Sequence, residues 1–127
     1  MKFLLALIFT FHGFNHLIRF FVSWRIANME EMPYRTKILS GKIDLGYKGI
    51  RIFGLLWLAL ALVFFSWSAI VLLDQTWWYN AGFYSILASL ILCILAWPDA
   101  KTGIVTNLLL IIILTITTTD CLNQVFN

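Results

Sequence analysis

Four residues near the N-terminus combine chemistry with helical spacing. His12, Asn15, His16 and Arg19 fall at i, i+3, i+4 and i+7. That spacing puts them on one face of a helix, and Ser23 continues the stripe. Two imidazoles, an amide and a guanidinium can present hydrogen-bond donors to a carbonyl or an anionic head group, and histidine can also carry protons near neutral pH. Two histidines one turn apart can share a metal, but a complete site needs more ligands. The remaining candidates, Asp99 and Asp120, are expected at opposite ends of the molecule. Haem held between two helices needs a histidine on each, and both histidines lie on this one. The simplest use of the stripe, above all for Asn15, is hydrogen bonding between helices at about 1 kcal/mol per side chain.

A second polar group reads Trp97-Pro98-Asp99-Ala100-Lys101-Thr102-Gly103, followed by Asn107. Pro98 is expected to end one helix and Asp99 to cap the next. Gly103 allows close packing, and Asn107 lies one turn further in. Asp99 is expected near the depth of Arg19, so the two could pair. Matched depths would join Arg19, His16, Asp99 and Asn107 in one pocket, with Trp57 and the phenylalanines lining its apolar part.

These groups sit in a chain of 127 residues that is 61% hydrophobic and 12% charged. A soluble domain carries roughly 25% charged residues because its surface faces water. The charges here are too few for that, and four apolar stretches near 3–24, 50–73, 78–97 and 103–122 contain almost none of them. Each stretch approaches the length needed to cross a hydrocarbon core of about 30 Å at 1.5 Å per residue. Backbone groups in that core must be satisfied internally, so helices are expected. The fold class is therefore an all-α membrane protein, a four-transmembrane-helix bundle in a single domain over residues 1–127. The first stretch opens like a secretory signal peptide, yet no small-residue cleavage site follows and the apolar run continues to Val22, so a retained span is expected.

A charged or polar stripe facing lipid costs several kcal/mol. The His12–Arg19 face must therefore meet the bundle interior, a partner subunit, a second copy or a water-filled cavity. Arg19 could also snorkel toward the membrane surface. Orientation follows from seven basic residues, Arg25, Arg35, Lys37, Lys42, Lys48, Arg51 and Lys101, in or beside the first and third loops, against Lys2 on the other side. That excess assigns those loops to the cytoplasm and both termini to the outer side. Trp77, Trp78 and Tyr79 are expected at the outer interface, and Trp24, Tyr47 and Trp97 at the inner one. The net charge of +3 is thus a topology signal, and no nucleic-acid partner is expected.

The loop at 25–49 is the one sizeable segment outside the spans. Ile26, Met29 and Met32 suggest a short interfacial helix, with Glu30 and Glu31 in water and turns at Ser40-Gly41 and Gly46. Cys93 and Cys121 are expected at different depths, as packing residues without a disulfide.

His12-Gly13-Phe14-Asn15-His16, Gly54-Leu55-Leu56-Trp57-Leu58 and Trp97-x-Asp99-Ala100-Lys101-x-Gly103-x-x-x-Asn107 resemble the three motifs of a family of small, uncharacterised four-helix bacterial membrane proteins. They cover about 95 residues in the order that family shows. The basic first loop is longer here than the family pattern. The resemblance implies the fold, the site positions and a bacterial inner membrane, and names no reaction or cofactor. More loosely the layout is similar to the DoxX-like four-helix proteins, several of which are associated with quinone or thiol redox systems. The central carboxylate of small multidrug transporters has no counterpart, and no hydrolase arrangement or phosphate-binding glycine loop is present.

Three functions follow from these residues. One is a binding or accessory protein that takes a lipophilic or quinone-like ligand. Another is a structural subunit whose stripe packs against a partner or a second copy. The last is a small transporter or channel. Catalysis is not expected.

Overall fold

In the computed structural model the chain forms four helices, α1 (Lys2–Ser23), α2 (Gly46–Leu72), α3 (Tyr79–Leu95) and α4 (Lys101–Phe126). A two-residue antiparallel pair, β1 (Lys37–Ile38) and β2 (Ile43–Asp44), lies between α1 and α2. The structure describes residues 1–120 in full and 121–126 as helix backbone. The expectation for Cys121 therefore falls outside the described side chains. α1, α2 and α4 are each long and apolar enough to cross a membrane. α3 has 17 residues, shorter than the 78–97 stretch because the chain turns at Ala96.

The helices run alternately up and down. α1 packs along α2, and α3 along α4, with lighter contacts joining the two pairs. Phe9, Trp57, Phe64, Trp78, Ile86 and Leu110 fill the centre. Phe9 lies face to face with Phe64 at 5.9 Å and edge-on to Trp78 at 5.6 Å. Trp78 is thus packed into the core at the end of the bundle that carries Lys2 and Asp74. Trp77 is exposed. At the α2–α3 turn, Lys2 bridges Asp74 at 2.6 Å, holding the N-terminus to that end.

Two helices end the same way. Arg25 and Asp74 both take left-handed φ, 58° and 57°. Arg25 N–H donates to Val22 O, and Ile26 N–H to Phe21 O. Asp74 N–H donates to Val71 O, and Gln75 N–H to Ile70 O. Each end is a Schellman cap, which satisfies carbonyls that the helix leaves open.

The reversal at Arg25 also corrects the expected interfacial helix. Residues 26–36 are not helical. Instead the segment folds back over the bundle, seating Met32 and Tyr34 half-buried and leaving Ile26 exposed. The short hairpin then docks on α3, where Leu39 N–H donates to Leu95 O at 2.8 Å and Ser40 N–H to Trp97 O at 3.1 Å. The basic loop is thereby a roof over one end of the bundle, called the roofed end below.

Candidate functional site

The polar residues of α1 meet partners from α3 and α4 in the middle of the bundle. His12, His16, Ser89 and Asn107 are all essentially inaccessible. His16 follows His12 by one turn, so both rings point into the same seam, 4.4 Å apart between centroids. Ser89 Oγ lies 3.0 Å from His12 Nε2, 2.8 Å from His16 Nε2 and 3.0 Å from Asn107 Nδ2. Asn107 Oδ1 lies 3.0 Å from His12 Nε2.

Hydrogen-bond accounting assigns the protons in this cluster. Asn107 Nδ2 donates to Gly103 O at 2.8 Å, which fixes the amide orientation. Its Oδ1 must then accept, so His12 carries its proton on Nε2 and shares it between Asn107 Oδ1 and Ser89 Oγ. Ser89 Oγ already accepts from Asn107 and His12, leaving its own proton for His16 Nε2. His16 is therefore the Nδ1–H tautomer. The two Nδ1 atoms, an acceptor on His12 and a donor on His16, are buried without partners among the described residues.

Aromatic rings complete the lining. Phe64 lies 4.7 Å from His12 and 5.4 Å from His16. Trp57 is buried between His16 at 5.1 Å and the Arg19 guanidinium at 5.3 Å, the latter a cation–π contact.

Arg19 lies one turn closer to the roof. Its Nη2 donates to the backbone carbonyl of Asp99 at 2.6 Å. The Asp99 carboxylate faces Arg35 of the roof instead, at 3.5 Å. The expected Arg19–Asp99 pair thus exists through the main chain and not as an ion pair. Among the described residues no side-chain hydrogen bond from Asp99 caps α4, which begins two residues later at Lys101, and the carboxylate is turned to Arg35. No salt bridge to Arg19 occurs among the described residues.

Two cavities flank Arg19 under the roof. One, of about 60 Å³, is walled by Trp57, Phe53, Ile50, Val22, Tyr34 and Arg35 among others. The other, of about 210 Å³, is walled by Asn15, His16, Glu31, Thr102 and Gly103. Arg19, Met32 and Asp99 line both. Tyr34 Oη, on a residue in the wall of the first, is also buried without a partner among the described residues.

The structure therefore brings together His12, His16, Asn107 and Trp57 in one network, with Arg19 and Asp99 at its edge. Asn15 lies apart, half-buried in a cavity wall and outside the hydrogen-bonded cluster. Sequence reasoning missed Ser89, the hub of the cluster, and expected phenylalanines in the lining without singling out Phe64. A faint signal for Ser89 exists in α3, where Gly82, Ile86, Ser89 and Cys93 follow helical spacing and are all buried. Cys93 is the packing residue expected of it, with its Sγ against Gly103 and 3.6 Å from Asn107 Nδ2. Among the described residues no group of three His, Cys, Asp or Glu is placed to hold a metal ion.

No protein-family model, curated protein or solved structure matches the chain.

Proposed function

We propose that the chain is a small integral membrane protein that holds a lipophilic ligand by its polar head in the roofed pocket at Arg19. The observation that carries this reading is Arg19 itself: a half-buried guanidinium with no salt-bridge partner among the described residues, set between two cavities and stacked on Trp57. A part-desolvated cation of this kind suits an acceptor oxygen, such as a quinone carbonyl or an anionic head. His16 Nδ1–H and Tyr34 Oη are further groups without partners among the described residues, on side chains that line the larger and the smaller of the two cavities respectively.

The membrane reading rests on composition, on the three long apolar helices and on the exposed apolar side chains along all four, among them Leu62, Ile91 and Ile112. We place four crossings in a bacterial inner membrane, with both termini outside and the roof in the cytoplasm, on the charge asymmetry of the loops. Membership of the small four-helix family whose motifs the chain resembles, and the looser DoxX-like likeness, belong to the same proposal.

The competing structural-subunit reading needs the stripe to face a partner. It loses its motive here, because His12 and His16 find Ser89 and Asn107 within the chain.

The test is the ligand that travels with the protein. Mass spectrometry of organic extracts from purified wild type should find one lipophile near equimolar amounts. Arg19→Gln should carry at least about tenfold less, the loss of one charged hydrogen bond at roughly 1.5 to 3 kcal/mol. Extracts of both proteins that contain only bulk membrane lipid would remove the proposal's support.

A further inference from the structure

A second site is carried by the outer face of α1 and α2 at the roofed end, away from Arg19. Trp24, Tyr47, Lys48, Arg51, Ile52 and Leu55 line an open groove of about 340 Å³. Its polar wall is built. The Arg51 guanidinium lies 4.1 Å over the Trp24 ring and 5.4 Å from the Tyr47 ring. Trp24 Nε1–H donates to Arg51 O at 2.9 Å, which fixes the indole against the helix. Arg51 Nε is buried without a partner among the described residues. Neither Lys48 nor Arg51 has a salt bridge among the described residues, and no carboxylate lines the groove. Asp44, the acidic residue nearest in sequence, is occupied by the Gly46 N–H at 3.0 Å, which holds its carboxyl below the usual range.

Beyond the cations the surface turns apolar. Ile52, Leu55 and Leu62 are exposed along α2. From Arg51 to Leu62 this track runs about 16 Å along the helix at 1.5 Å per residue. That is the layout of a phosphate with an acyl chain below it. Aromatic residues and Lys or Arg at this level are the usual membrane-interface anchors.

We propose that this groove seats an anionic phospholipid, its phosphate between Lys48 and Arg51 and an acyl chain along Ile52, Leu55 and Leu62. Charge complementarity selects the anionic class. The groove offers two cations and no acidic group to receive the ammonium of a zwitterionic head. The site is separate from the Arg19 pocket and does not depend on what that pocket holds.

The test is native mass spectrometry of the detergent-solubilised full chain with phosphatidylglycerol or phosphatidylcholine added at equal concentration. Wild type should retain phosphatidylglycerol at least fivefold more, by the rough energy of one basic residue at an anionic surface. Lys48→Gln and Arg51→Gln should each lower that retention about fivefold. Lys48 is exposed, so its variant should unfold at the wild-type temperature and keeps the test meaningful if Arg51→Gln folds poorly. Lys2→Gln, at the opposite end, should leave retention unchanged. Equal retention of the two lipids, a Lys48→Gln variant indistinguishable from wild type, or an equal loss in Lys2→Gln would overturn the site. Displacement of the lipid by equimolar glycerol phosphate would also overturn it, by showing a free-phosphate site.

Discussion

The polar cluster is decided by single atoms. Ser89 has one proton to give and three neighbours, and that shortage forces His12 and His16 into opposite tautomers. Nitrogen-15 NMR of the labelled imidazoles should therefore show His12 protonated on Nε2 and His16 on Nδ1. The same tautomer at both rings would refute the assignment. Removing the hub should be costly out of proportion to its size. Ser89→Ala leaves Asn107 Nδ2 and His16 Nε2 each short of a bond inside the bundle, at an expected loss of about 1 to 2 kcal/mol in detergent unfolding. Ser66→Ala, whose hydroxyl is exposed and bonds only its own helix at Leu62 O, should change stability by much less. Much of this site was legible from spacing, because i, i+3, i+4, i+7 periodicity on one apolar helix is a strong pattern. Ser89 was not, because its faint spacing with Gly82, Ile86 and Cys93 does not set it apart from Ser85 one turn earlier in the same apolar run. Its role comes from α3 facing α1, and the sequence does not state which helices touch. Asn15 shows the opposite error: right spacing, but rotated to the edge of the face that the histidines bury.

At the scale of elements, glycines allow close approach, Gly13 and Gly54 between α1 and α2 and Gly103 between α3 and α4. A Cβ on Gly54 would fall 2.8 Å from Ser23 Cβ and 3.0 Å from Trp24 Cδ1. Those atoms are near the main chain and cannot swing away. Gly54→Ala should push α1 from α2 and destabilise the protein by about 1 to 3 kcal/mol, the usual range for overpacking. A melting temperature equal to wild type would show that the two helices separate freely. A Cβ on Gly103 would fall 2.6 Å from Cys93 Sγ, beside Asn107. The helices themselves were readable from hydrophobicity to within a few residues. The roof was not. Ile26, Met29 and Met32 have helical spacing, but Arg25 reverses the chain in a left-handed cap and the hairpin bonds the carbonyls of Leu95 and Trp97. A main-chain tether to a distant helix end leaves no trace in side-chain pattern.

The whole molecule is two helical hairpins closed at one end by a basic roof and at the other by the Lys2–Asp74 bridge. If it lies in the membrane as proposed, its two ends face different compartments. In intact cells an impermeant maleimide should label Gln75→Cys from outside and leave Lys42→Cys unlabelled until the membrane is opened. Equal labelling of both would dispose of the proposed orientation. The pocket at Arg19 is the central claim, and photolabelling tests it most directly. A short-chain quinone carrying a diazirine, activated on the purified protein, should attach to peptides containing Met32–Tyr34 and Trp57, and Arg19→Gln should lower that labelling about tenfold. Labelling spread over outward-facing residues such as Leu62 and Ile112, equal in wild type and Arg19→Gln, would contradict a ligand pocket there.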